Sequence, residues 1–255
     1  MNKVMISAIC MLSLYACTVK EDRQSCPCSL NLDFSEIDTT SVSALLLCIS
    51  DASEYAFSES LSADTFFPEY KVFVPRKHLY VNVFHGVDES FCGSGGLFIP
   101  YGSECPEVYM CSLPADAEKE EADVRIGLHK NYCRIALSIV KEGGFEYSIS
   151  VKGTVNGYGA DGSPSRGDFS YTPESEGAVY SLAVPRQLDS SLILEIDDGT
   201  DVLKSFALGE YISASGYDWS AQDLEDISVQ IDWTLTDMTL TIQGWDWSHE
   251  FEIII

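Results

Sequence analysis

Leu30-Asn31-Leu32-Asp33-Phe34 carries an apolar side chain at every second position, with Asn31 and Asp33 between them. A period of two turns Leu30, Leu32 and Phe34 to one face of an extended chain, the signature of a half-buried β-strand. Working outward, residues 42–49 form a continuous apolar run, short enough for a central strand. Residues 70–74 and 78–84 are rich in Val, Tyr and Phe, and Pro75-Arg76-Lys77 turns the chain between them. Strands are expected again at 108–111 and 124–128, with the acidic stretch 115–123 between them as a loop or short helix.

The second half continues in the same style. Residues 133–140, 147–151, 179–184, 192–196, 202–208, 229–233, 238–242 and 251–255 read as strands. Glu142-Gly143-Gly144, Asp161-Gly162-Ser163-Pro164 and Asp198-Gly199 supply turn chemistry. No segment sustains a 3.6-residue apolar period, and 208–213 allows one helical turn at most. The expected class is all-β, and about fourteen short strands fit two tandem sandwiches better than one. The boundary is placed near residue 129, giving units 29–128 and 129–255.

The chain has 255 residues, with 40 acidic against 15 basic side chains, a formal net charge of −25. Such a surface repels phosphate backbones, so nucleic acid is not an expected partner. A hydrophobic fraction of 45% and an aromatic fraction of 11% exclude a disordered acidic chain.

The amino terminus speaks to compartment. Met1-Asn2-Lys3 is a positive n-region, and residues 4–14 are mostly apolar, too short to span a bilayer but suited to a signal-peptide core. It ends in Leu14-Tyr15-Ala16-Cys17, which looks like a bacterial lipobox. Residues 1–16 are thus expected to be removed and 17–28 to form a tether. A diacylglycerol and an N-acyl chain on Cys17 hold the body to a membrane, with no other cofactor expected. Lys20, Glu21 and Asp22 follow directly and are similar to the signal that sends Bacteroidetes lipoproteins to the outer face of the cell.

Cys26, Cys28, Cys48, Cys92, Cys105, Cys111 and Cys133 remain, an odd number. Cys92 with Cys105 could close a Gly-rich loop, and Cys48, within an apolar run, reads as a buried free thiol. Cys26-Pro27-Cys28 lacks the two-residue spacer of a redox or zinc pair.

Motifs for chemistry fail on context. Gly157-Tyr158-Gly159-Ala160-Asp161-Gly162 has the letters of a dinucleotide fingerprint, but Ser163-Pro164-Ser165-Arg166-Gly167 follows as loop rather than helix. Gly93-Ser94-Gly95-Gly96 reads as a flexible loop, not a nucleophile elbow. His78, His85, His129 and His249 show no metal-ligand spacing, and Asp197-Asp198-Gly199-Thr200-Asp201 reads as a solvated turn rather than a calcium loop. No catalytic residues and no metal site are expected. Arg166-Gly167-Asp168 is expected in an exposed loop. Trp245-Asp246-Trp247 would set two indoles on one strand face, either as packing or as a platform for sugar stacking.

Several segments, in order, resemble the FimB-type fimbrial anchor family of Bacteroidetes. They are Cys17-Thr18-Val19-Lys20-Glu21-Asp22-Arg23, Cys26-Pro27-Cys28 with residues 30–35, Val184-Pro185-Arg186-Gln187-Leu188-Asp189-Ser190-Ser191-Leu192, Phe206-Ala207-Leu208-Gly209-Glu210-Tyr211-Ile212 and Gly216-Tyr217-Asp218-Trp219. The resemblance implies two tandem transthyretin-like Greek-key β-sandwich domains. It also implies a lipoprotein of the cell outer membrane that anchors or terminates a fimbrium through strand exchange with a major stalk pilin. In that role 30–34 is expected to stay paired in its own sandwich, leaving the lipid attached, although Arg23 and Arg76 are potential trypsin-like sites. The terminal Phe251-Glu252-Ile253-Ile254-Ile255 is expected as a last core strand in a meander, with an edge offered to the next subunit as the other reading. A surface glycan-binding lipoprotein using Trp245 and Trp247 is the alternative role.

Overall fold

The computed structural model describes residues 26–93, 95–141, 147–176, 179–197, 202–233 and 238–253. Cys17, Lys20, Glu21 and Asp22, Ser94 and the turns expected at Glu142-Gly143-Gly144 and Asp198-Gly199 lie outside the described residues. The first half contains β1 (Cys28–Asp33), β2 (Ala44–Ser50), β3 (Ala56–Ser62), β4 (Glu69–Val74), β5 (His78–His85), β6 (Cys92–Gly93), β7 (Gly96–Phe98), β8 (Tyr109–Asp116), β9 (Glu121–Arg125) and β10 (His129–Lys130). The second contains β11 (Tyr132–Lys141), β12 (Ser148–Tyr158), β13 (Pro164–Tyr171), β14 (Ser175–Glu176), β15 (Val179–Pro185), β16 (Ile193–Asp197) and β17 (Val202–Phe206). After the helix Leu208–Ala214 come β18 (Ile227–Trp233), β19 (Met238–Gln243) and β20 (Ser248–Ile253).

The strands build four sheets, paired as two sandwiches. Order β4-β1-β9 faces order β10-β8-β5-β2-β3, and order β14-β15-β11-β18-β19-β20 faces β17-β16-β12-β7-β6, with β13 beside β12. The leading strand of each half has the same environment: β1 pairs antiparallel with β4 and parallel with β9, and β11 pairs antiparallel with β15 and parallel with β18. The architecture is all-β, as the alternation in the sequence implies.

The continuous apolar run in β2 has a physical cause. Leu45, Leu47 and Ile49 enter the first core with Val81 and Val83 of β5, whereas Leu46 and Cys48 enter the second core with Phe84 and Met110. The central strands of the five-stranded sheet are therefore covered on both faces, and their residues of either parity must be apolar. Sealing the outer face is a task for the chain between β5 and β8. It leaves the first sandwich at Gly86, forms the β6–β7 hairpin, and pairs Leu97 and Phe98 with Tyr158 and Gly157 of β12. A boundary drawn at 129 thus leaves one hairpin of the first half inside a sheet of the second.

One buried polar side chain fastens this joint. Asn82, fully buried in β5, donates from Nδ2 to the Gly95 and Ala160 carbonyls, each at 2.7 Å, and accepts from the Ser112 hydroxyl. The two carbonyls belong to the β6–β7 and β12–β13 turns. Gly95 has φ of +84°, and a Cβ there would collide with the Ser50 side chain, so only glycine lets this turn sit flat on β2. A second node lies at Arg186, whose guanidinium donates to Asn131 Oδ1 at 3.1 Å, to the Ala221 carbonyl at 2.7 Å and to the Trp219 carbonyl. The Tyr158 hydroxyl accepts from the Arg186 amide at 2.9 Å and donates to the Asn131 carbonyl.

Several expectations are corrected. The acidic stretch 115–123 is mostly strand, the end of β8 and the start of β9, because Ala115, Ala117 and Val124 are buried while the acids point to solvent. Residues 164–167 are not a loop: β13 runs through them, with Pro164 at its first position, where no ladder donor is lost. Arg166-Gly167-Asp168 accordingly lies on a strand, and Arg166 Nη1 meets Asp189 Oδ2 at 3.1 Å. Gly93 and Gly96 pair within the β6–β7 hairpin rather than forming a free loop. Cys92, expected opposite Cys105, has the Cys48 sulfur as its neighbour at 3.7 Å, and all of these thiols are free. The helix at 208–214 runs longer than one turn because Leu208 and Ile212, four residues apart, are both buried. β3 escapes the sequence reading because only Leu61 of its seven residues is buried.

Asn82→Ala should lower the unfolding free energy in urea by about 2–4 kcal/mol, since it orphans two buried carbonyls and a hydroxyl. Ser50→Ala, which removes a buried hydroxyl with no hydrogen-bond partner, should be neutral or stabilising in the same assay.

Candidate functional site

Two surfaces could join this chain to something else: the start of the described chain and its far edge. At the start, β1 is the middle strand of its sheet, in register with β4 from Cys28↔Val74 to Asp33↔Glu69 and with β9 from Ser29↔Glu121 to Asp33↔Arg125. Leu30, Leu32 and Phe34 are each 0% exposed, and the Phe34 ring packs at a tilt against Phe66, centroids 5.1 Å apart. The end of the strand is clamped by Arg125 Nε to Asp33 Oδ2 at 3.3 Å, while the Ser35 N–H and hydroxyl hold the Asp33 carboxyl below its usual range. Burying three such side chains contributes roughly 5–8 kcal/mol before entropy is charged. The groove at this place in the first sandwich is filled by the chain's own strand.

At the far edge, β20 pairs with β19 from Met238↔Ile253 to Gln243↔Ser248, forming the expected meander. It is not a core strand, however. It closes the sheet order, and Ser248, His249, Glu250 and Glu252 are exposed. The alternation of acids with larger residues suits a strand with one solvated face, and its outer side pairs with no strand among the described residues.

Next to this edge lies an aromatic row. Tyr211 meets Phe251 at 5.3 Å, Phe251 meets His249 at 6.5 Å, His249 meets Trp247 at 6.0 Å, and Trp247 meets Tyr217 at 6.4 Å. Tyr217 in turn packs edge-on to Trp219 at 4.7 Å, and its hydroxyl donates to the Glu225 carbonyl at 2.7 Å. Burial, first, and the nearby Cys133 thiol push the Tyr217 phenol well above its ordinary range, so it remains a neutral donor.

The two indoles singled out in the sequence part company here. Trp245 and Asp246 are the turn between β19 and β20, closed by the Gly244 N–H donating to the Trp247 carbonyl at 3.0 Å. Trp247 folds back over Gly244, where its ring occupies the space a Cβ would need, and its Nε1 reaches Glu225 Oε2 at 3.3 Å. Trp245, by contrast, is 93% exposed. A tight turn, rather than a strand, separates them, so they do not share one face. Trp245 rims an open cleft of about 570 Å³ together with Glu225, Asp226, Ser228 and Gln243. The cleft offers one apolar ring face and several hydrogen-bonding groups.

The strand register also assembles a group the sequence reading passed over. His78 faces Asp116 across β5 and β8, and Glu118 follows, so one atom from each lies within 4.8 Å of the others. All three are exposed, and Lys119 Nζ already takes Asp116 Oδ2 at 3.3 Å. This is a solvated charge cluster. No helix among the described residues is long and apolar enough to cross a membrane.

No family model matches the chain, and no curated protein matches it by sequence. Solved structures do match its fold. The fimbrial anchor protein Mfa2 from Porphyromonas gingivalis superimposes with a TM-score of 0.61 at 11% identity, over 89% of this chain and 100% of that one. A protein of Bacteroides thetaiotaomicron described as a polysaccharide-binding candidate (DUF1812) gives 0.59 at 12% identity, over 88% and 98%. A candidate adhesin from Bacteroides ovatus gives 0.56 at 14% identity, over 92% and 97%. At these identities the likeness is one of fold, and it spans both sandwiches.

Trp247→Ala should lower unfolding free energy by about 1–3 kcal/mol, because a half-buried indole and its contact with Tyr217 are lost. Trp245→Ala should change it by less than about 0.5 kcal/mol. Paired urea melts of the two variants check this.

Proposed function

We propose that this chain is a lipoprotein of the cell outer membrane that anchors or terminates a fimbrium. The observation that carries the reading is the closure of the first sandwich by β1. A subunit that receives a strand from the next subunit must have a vacant lane in its sheet. Here the lane is occupied by the strand that follows the tether, hydrogen-bonded on both sides and buried through Leu30, Leu32 and Phe34. Releasing β1 would open the core, so the segment before it stays joined to the body. With Cys17 lipidated, that segment becomes a membrane tether, and Lys20-Glu21-Asp22 direct it to the outer face. The side of β20 that pairs with no strand among the described residues is then the edge at which a strand of a stalk pilin adds, with main-chain hydrogen bonds supplying the joint. The fold shared with the Porphyromonas anchor protein supports this reading, and no catalytic role is assigned.

A second reading has its own observation, the 93% exposed Trp245 beside a cleft of acid, amide and hydroxyl groups. An indole face over a polar rim is a chemistry that holds a sugar ring, and one protein of this fold is described as a polysaccharide-binding candidate.

Cells carrying Cys17→Ser should fail to incorporate a labelled fatty acid into this chain and should shed fimbriae into the medium, or display them at altered length, under electron microscopy. Unchanged cell-attached fibres would overturn the anchor reading. On a polysaccharide array, the glycan reading requires binding by the wild-type chain that Trp245→Ala abolishes; equal signals from both remove it.

A further inference from the structure

Cys48 lies in the middle of β2, on the face turned toward the second core, and Cys92 opens β6, the outermost strand of a sheet built mainly by the second half. Although 44 positions apart in sequence, their sulfurs are 3.7 Å apart, in van der Waals contact. The two sites differ in access: Cys48 is buried, while Cys92 is half-buried. Cys28, Cys105, Cys111 and Cys133 are all buried, out of reach of an oxidant in solution.

We propose that Cys48 and Cys92 are a disulfide-forming pair that staples the first sandwich to the hairpin it lends to the second. The oxidant is an external disulfide, R–S–S–R. Cys92 loses its proton and its thiolate attacks one sulfur of that disulfide, expelling RS⁻, which is protonated, and leaving a mixed disulfide on Cys92. Cys48 then loses its proton and attacks Cys92 Sγ, expelling the second RS⁻. Two protein thiols become one S–S bond, and one external disulfide becomes two thiols. The order follows from access, because of the two thiols Cys48 is buried and Cys92 is the one an incoming molecule can meet, while the exposed Cys26 is not part of the pair.

The electrostatics agree with this division of labour. The Cys48 S–H donates to the Cys92 sulfur, which favours the Cys92 thiolate and holds that thiol below its ordinary range, against burial and the nearby Glu89 and Asp88. The same bond, with burial, pushes Cys48 up. Bond formation draws the sulfurs from contact to ~2.05 Å, an approach of roughly 1.6 Å. β6 is two residues long and pairs only with β7, so it can follow.

The test uses the wild-type chain treated with glutathione disulfide, alkylated under denaturing conditions and digested after Glu and Asp. That cleavage separates the cysteines, since Asp38 and Asp51 flank Cys48, Glu89 and Glu104 flank Cys92, and Glu107 and Asp116 flank Cys111. Mass spectrometry should find the Cys48 peptide joined to the Cys92 peptide. Thermal unfolding should shift up by ~5–10 °C relative to the reduced chain, because a long loop is closed in the unfolded state. Cys92→Ser, at a half-exposed position, should fold and lose the redox-dependent shift. Cys48 and Cys92 recovered alkylated after oxidation, or Cys92 joined to Cys105 instead, would overturn the proposal.

Discussion

The structure depends on one constraint: in the sheet β10-β8-β5-β2-β3 the central strands β2 and β5 are dry on both faces. Its odd-numbered side chains on β2 and β5 close the first core, and Leu46, Cys48, Phe84 and Met110 must be covered by something else. The second half supplies the cover, and the β6–β7 hairpin and the β12–β13 turn cap its rim. Apolar area of this kind is non-directional, so it presses the halves together without fixing their register. Asn82 adds direction. A buried amide satisfied by two turn carbonyls and a serine hydroxyl tolerates one arrangement, and any slip leaves desolvated polar groups unpaired.

The resemblance segments find a structural meaning in the same logic. Arg186 of the 184–192 stretch donates to the carbonyl of Trp219 from the 216–219 stretch, and the Gly209 N–H from the 206–212 stretch donates to the Leu192 carbonyl at 2.8 Å. Gly209 sits so close to the Ser190 carbonyl that a Cβ would collide with it. The 184–192 stretch thus holds the other two segments, one at Arg186 and one at Leu192, and the second contact ties the helix Leu208–Ala214 to the second sandwich. Their residue choice answers to packing and backbone hydrogen bonding.

The acidic surface is organised in a similar way. Asp33, Asp38, Asp88, Asp161, Asp189 and Asp218 each accept hydrogen bonds from the residue two positions on, and those bonds hold their carboxyls below the ordinary value. These six carboxylates are turn chemistry, fixed in place by the backbone. What distinguishes the two ends of the molecule is strand pairing: the lane at β1 is full, and the lane beside β20 is open among the described residues.

The amino-acid sequence alone settled the class of fold, because a side-chain period of two and frequent turn residues leave little besides stacked sheets, and nearly every apolar segment proposed as a strand is one. It also marked 42–49 as interior, since an unbroken apolar run is what two-sided burial demands. Tertiary structure decided what has no local signature. β3 and β13 are held by their neighbours' main chains, with few buried side chains to announce them. The separation of Trp245 from Trp247 came from a turn closing at Gly244, and the meeting of Cys48 with Cys92, of His78 with Asp116, and of Asn82 with two distant carbonyls came from register. Those pairings are set by how sheets stack and which hairpin crosses between them, a property of the whole chain that no single stretch of it encodes.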